Sequence, residues 1–150
     1  MYKKILVAYS ATLESRCVLH ECIRLAPGPE ASIHLLAVVM PPPPIIGGSD
    51  VVVVFNQEED VEVEKHRVRD ELAVAHRFLA DAGLHVTSHL EVGEPVEVIG
   101  TLASRLGAEL VIVGHSRHKS WAARWWRGST DAMLIERVQC SLLVARVSKE

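Results

Sequence analysis

The sequence predicts an α/β fold, a single-domain, doubly wound, five-stranded parallel sheet with helices on both faces. Two observations carry this. Short apolar runs alternate with helix-like segments through most of the 150 residues. The runs are also near-continuous rather than alternating, as in LVIV at Leu110–Val113, which is how strands covered on both faces read. Helix-length connections between such strands impose right-handed crossovers and parallel pairing.

Lys4–Tyr9 (KILVAY) is the first strand. Leu13–Ala26 follows as a helix, with Val18, Leu19, Cys22, Ile23 and Ala26 on one face. Thr12 or Ser15 is its expected cap, and Pro27-Gly28-Pro29 its stop. Ser32–Met40 is the second strand. The tetraproline Pro41–Pro44 must be extended, and it opens a Pro/Val-rich insertion at about 41–57 in which Val51–Phe55 reads as a loop or a short extra strand. Glu58–Asp81 is a charged helix with a stripe of Val61, Val68, Leu72, Ala75, Phe78 and Leu79, capped by Gly83. His85–Val92 is the third strand, Pro95–Leu106 the third helix with Gly107 as its stop, and Leu110–Val113 the fourth strand. A polar, Trp-bearing stretch, Gly114–Arg127, leads to a last helix at Ser129–Val138 and a fifth strand at Ser141–Val147.

Composition narrows the function. Apolar residues are 49% and charged residues 23%, an ordinary globular balance. A net charge of -3 disfavours nucleic acid as the main partner. Cys17, Cys22 and Cys140 have no metal spacing and read as small buried thiols. No signal peptide and no membrane-spanning run is visible, so a soluble, cytoplasmic protein without membrane contact is expected.

In an open parallel sheet, ligands sit beyond the carboxyl ends of the strands where strand order reverses. The unusual residues fall after the first strand (Ser10, Ala11, Thr12) and after the fourth (Gly114, His115, Ser116, Arg117, His118, Lys119, then Gly128, Ser129, Thr130). Gly128-Ser129-Thr130 opens the last helix, where free N–H groups and the positive dipole end suit an anion. Arg117, Lys119, Arg124 and Arg127 add cations with no carboxylate among them. The same residues also suit a plain helix cap and a solvated loop.

The strand and helix order, KILVAY, the Gly93-Glu94-Pro95 turn, AELVIVG leading to Gly114, and a Gly-Ser helix start running into SLLVARV together resemble the universal stress protein family over nearly the whole chain. The resemblance implies a Rossmann-like, adenine nucleotide alpha hydrolase-like fold and homodimerisation through the last strand, 141–147. In one branch it implies ATP, with magnesium only alongside the nucleotide. That branch carries Gly, two residues, Gly, nine residues, Gly-Ser/Thr. Gly114, Gly128 and Ser129 match it, but His118 stands at the middle glycine and the first gap is one residue too long, so the motif is degenerate. A Cβ at His118 restricts φ and fills space where backbone approaches phosphate. Ser10-Ala11-Thr12 stands where nucleotide-binding members have Asp, often followed by Gly-Ser, and Val38 matches a position that contacts adenine.

Other constellations carry less. Trp121, Trp125 and Trp126 fit a dimer or partner contact, or packing on the sheet. His85 and His89 share a strand face, but no third metal ligand is evident, and no metal is expected. Glu62, Glu64, Asp70 and Glu71 interleave with Lys65, Arg67 and Arg69 as a solvated helix face. No catalytic residues are expected, for no nucleophile with a base is legible. The leading expectation is a non-catalytic, homodimeric stress-response protein with its cleft between the first and fourth strands. An interaction module with an unidentified protein partner is the alternative. So is a slow ATP hydrolase, whose nearest acids are Glu14 and Asp131.

Overall fold

A computed structural model describes residues 1–12, 14–41, 57–115 and 130–146. Five strands, β1 (Lys4–Tyr9), β2 (Ser32–Val39), β3 (His85–Val92), β4 (Leu110–His115) and β5 (Ser141–Arg146), form one sheet in the order β3-β2-β1-β4-β5. Every neighbouring pair is parallel. The helices are α1 (Cys17–Arg24), α2 (Gln57–Asp81), α3 (Pro95–Leu106) and α4 (Thr130–Arg137). The expected doubly wound α/β fold is the one observed.

Strand alternation sends β1 side chains to two separate cores. Ile5, Val7 and Tyr9 pack with Val18, Leu19 and Cys22 of α1 and with Val68, Leu72, Ala75 and Leu79 of α2. Leu6 and Ala8 pack with Val96, Ile99, Leu102 and Ala103 of α3 and with Leu134 and Val138 of α4. Each fully buried Leu, Ile or Val contributes about 1.5–3 kcal/mol. Because every residue from Ile5 to Tyr9 is buried, β1 has no polar face to alternate with.

The two helix pairs on opposite faces fix the winding. From β1 the chain steps outward to β2 and β3 with α1 and α2 on one face. It then crosses by α3 to β4, on the other side of β1, and steps out to β5 by α4 on the opposite face. Strand order therefore reverses between β1 and β4, joined at Ile5–Leu110, Leu6–Val111 and Val7–Ile112. At the foot of this junction Glu109 accepts the backbone N–H groups of Lys3 (2.5 Å) and Lys4 (3.3 Å), which holds its carboxyl below the usual range.

Local differences from the sequence reading have physical causes. The first helix is shorter than Leu13–Ala26, because a 3-10 turn at Glu14–Arg16 precedes it and Ala26 takes a left-handed φ of 48° before Pro27. Thr12 and Ser15 cap that 3-10 turn, not α1, whose N-cap Arg16 makes no side-chain cap bond. Phe78 leaves the α2 stripe: it is 40% exposed and meets the His20 ring edge-on at 5.2 Å. Gly114 belongs to β4, paired with Ala145, rather than to the loop beyond it. The last helix is described over Thr130–Arg137, and its expected start at Ser129 lies outside the described residues. Cys22 is fully buried, and desolvation pushes its thiol up to about 12, as an inert core cysteine requires.

The turn into α3 is tightly specified. Glu94 accepts from the Glu97 N–H (3.0 Å), Pro95 fills the first turn, and Gly107 closes the helix at φ 65°. A Cβ on Gly93 would lie 2.9 Å from Val98 Cγ2. Gly93→Ala is expected to lower stability by about 1–3 kcal/mol. Urea unfolding would show this as a lower midpoint with an unchanged slope.

Candidate functional site

The reversal of winding leaves a crevice beyond the carboxyl ends of β1 and β4, because the connections from these strands leave in opposite directions. Three strands carry the residues expected there. Ser10, Ala11 and Thr12 leave β1, Val38 lies near the end of β2, and Gly114 lies in β4. His118, Gly128 and Ser129 lie outside the described residues, as do Trp121, Trp125, Trp126 and Val51–Phe55. Thr130 is the first residue of α4.

The β1 loop is built by its own hydroxyls. Ser10 Oγ and Thr12 Oγ1 are 3.2 Å apart. The Ser15 N–H donates to Thr12 Oγ1 (3.2 Å), the Thr12 N–H donates to Ser15 Oγ (3.1 Å), and Ser15 Oγ–H donates to the Thr12 carbonyl (2.8 Å). Ser15 is 2% exposed, so this reciprocal cap is an interior structure. Between Ser10 and Thr12, Ala11 sits at φ 58°, a left-handed conformation that costs an L-residue about 1–2 kcal/mol. The Ala11 methyl is buried in the core, and the Ala11 carbonyl accepts from Arg67 Nη1 at 3.1 Å. Arg67 also pairs with Glu64 at 2.7 Å. The expected solvated face of α2 therefore holds Glu64–Arg67 and Glu62–Lys65 pairs, but Arg67 additionally reaches across and ties the loop to the helix.

Beneath the loop, Tyr9 is fully buried and its hydroxyl has no hydrogen-bond partner among the described residues. Burial and the Glu71 charge push its pKa up, outweighing the opposing pull of nearby Arg16 and Ser15. Val38 is 5% exposed and packs in the core shared with α3 and α4, so it forms a floor rather than a free edge.

A concavity of about 310 Å³ lies between the end of β3 and α3. Its charged groups are already engaged: Glu94 caps Glu97 N–H, Glu97 meets Arg137 at 3.4 Å, and Glu91 meets Arg105 at 4.0 Å. That leaves the crevice at the β1–β4 ends as the candidate site. Among the described residues, no group of three or more His, Cys, Asp or Glu could hold a metal ion. No described helix is long and apolar enough to cross a membrane.

This is a doubly wound α/β protein in which a left-handed hydroxyl loop follows β1 and a glycine lies near the end of β4, on either side of the switch point. The chain belongs to the universal stress protein family, whose model matches residues 1–146. No curated protein matches it in sequence. Among solved structures it is similar to the universal stress protein UspA from Lactobacillus plantarum, at 19% identity and a TM-score of 0.74 over 97% of this chain and 98% of that one. It is also similar to a universal stress protein in complex with cAMP, at 19% identity and a TM-score of 0.70 over 98% of each chain. A universal stress protein family protein from Arabidopsis thaliana with AMP bound matches at 16% identity and a TM-score of 0.60, over 97% of this chain and 92% of that one.

Two site features escaped the sequence reading. The left-handed Ala11 carries no propensity signal, because alanine ordinarily avoids that region. The Arg67 anchor spans 56 positions and needs the fold to be seen. Ala11→Val, a β-branched residue at positive φ in a filled core, is expected to destabilise the protein by more than about 2 kcal/mol. Guanidinium unfolding measures it.

Proposed function

We propose that the chain is one domain, interrupted at 41–57 by an insertion, that serves as a non-catalytic, cytoplasmic stress-response protein. It binds an adenine nucleotide in the crevice at the ends of β1 and β4. The observation that carries this reading is the reversal of strand order at β1–β4, with Ser10, Ala11 and Thr12 following β1 and Gly114 near the end of β4. The cAMP and AMP held by two proteins of the same fold support the ligand class. Val38 would underlie the adenine, while His118, Gly128, Ser129 and Thr130 would receive the phosphates. Magnesium would come only with the nucleotide, for Ser10–Thr12 brings no carboxylate to the crevice. Homodimerisation would run through β5, an edge strand paired only with β4 among the described strands, with Val144 38% exposed.

An interaction module without nucleotide is the second reading. The observation favouring it is that the Ser10 and Thr12 hydroxyls are bonded to each other and bring no charged acceptor for a nucleoside.

A melting curve with millimolar ATP and magnesium separates the two. At about a hundred times its dissociation constant, a ligand adds about 2.7 kcal/mol. Ser10→Asp is expected to tighten ATP about tenfold or more, by supplying a charged acceptor worth about 1.5–3 kcal/mol. Gly128→Asp is expected to abolish the shift. No shift in the parent protein or in Ser10→Asp leaves the interaction module standing.

A further inference from the structure

Outside the crevice, one side-chain pair is built in a way that neither fold nor nucleotide binding requires. His34 Nδ1 and His89 Nε2 are 2.9 Å apart, joining β2 to the edge strand β3. The two half-buried rings have centroids 5.2 Å apart and planes tilted by 33°. That centroid distance is the N···N distance plus one ring radius at each end, so the imidazoles meet head-on. Two nitrogens aimed at each other share one proton in an N–H···N bond, one donating and one accepting. They do not aim at a common third point, as metal ligands must.

The register explains how the pair forms. Leu36 lies opposite His89 and His34 opposite Thr87, so the imidazoles reach diagonally across the ladder on the α3 side of the sheet. On the opposite side of the same strand, Ser88 Oγ lies 2.7 Å from His76 Nδ1 of α2. Consecutive residues of β3 are thus tied to the body by imidazoles on both faces. The neighbourhood is cationic on balance. Lys4 of β1 acts on His34, Arg105 of α3 acts on His89 with Glu91 of β3 opposing it there, and His85 of β3 shares the face.

We propose that His34 and His89 form a proton-gated clasp on the edge strand, closed while at least one imidazole is neutral and opened when mild acid charges both. Desolvation comes first in lowering both histidines below their ordinary value of 6.5, followed by the His89 and Lys4 charges at His34 and the Arg105 charge at His89. Folding therefore favours the neutral forms. The stability they contribute is complete above the ordinary histidine value and is lost as pH falls through the lowered ones. The two protons bind as a coupled pair: the first goes to the outer nitrogen of the donor ring and leaves the N–H···N bond in place, and the second claims the acceptor nitrogen and breaks it. Just past the end of β3, the Gly93 N–H donates to the Val39 carbonyl (3.0 Å), a further tie between β3 and β2.

Imidazole ¹⁵N NMR on the full chain tests the clasp directly. At about pH 7.5 a scalar coupling across the His34–His89 bond is expected, and it should vanish near pH 5. Amide exchange of 85–92, corrected for the intrinsic rate, should quicken over the same range while β1 stays protected. His34→Gln and His89→Gln should each remove at least half of the fall in urea midpoint between about pH 7.5 and 5.5, whereas His85→Gln should leave it intact. The clasp is overturned if both variants keep the full fall, or if the two imidazoles titrate independently at the ordinary value without coupling. Micromolar zinc capturing the pair's signals at about pH 7.5 would also overturn it, making the pair a metal site.

Discussion

The structure depends on the burial of β1 from both sides. Its backbone is satisfied by β2 on one flank and β4 on the other, and its side chains enter two cores that do not touch. No polar residue is tolerated between Ile5 and Tyr9 apart from the tyrosine hydroxyl at the end. Because helices occupy both faces, the chain must leave β1 and β4 in opposite directions. The crevice is a by-product of that divergence, produced by the demand for apolar cover rather than by any feature of a ligand.

The crevice is then finished by short-range chemistry. The hydroxyls of Ser10, Thr12 and Ser15 satisfy the turn internally, and a left-handed alanine is held there by its buried methyl and by the Arg67 guanidinium on its carbonyl. Strain of this kind persists only where surrounding contacts over-determine it. Family membership follows from the whole of residues 1–146, whereas the nucleotide reading turns on a handful of positions, two of which, Ser10 and His118, depart from the nucleotide-binding pattern.

Most of the fold was legible because parallel strands buried on both faces leave an apolar signature that helices interrupt. KILVAY, LVIV and SLLVAR all register as strands on this ground alone. The end of β4 was not legible: Gly114 and His115 look like loop, and only their partners Ala145 and Arg146 make them strand. The candidate loop at Ser10–Thr12 was legible as a position after a strand, but not its geometry. Left-handed alanine contradicts local preference, and Arg67 and His34 act through register over 56 and 55 positions. His85 and His89 were recognised as sharing a face, yet the true partner of His89 lay on the neighbouring strand. Contacts that depend on which residues stand abreast cannot be read from spacing along one chain.

The Arg67 bond makes a mechanical link of what would otherwise be a decorative surface charge. The long helix α2 reaches the loop after β1 in two ways, through Arg67 on the Ala11 carbonyl and through Val68, Leu72 and Ala75 in the core that also holds the Ala11 methyl. The loop's left-handed turn is thus clamped to α2 on both its polar and its apolar side.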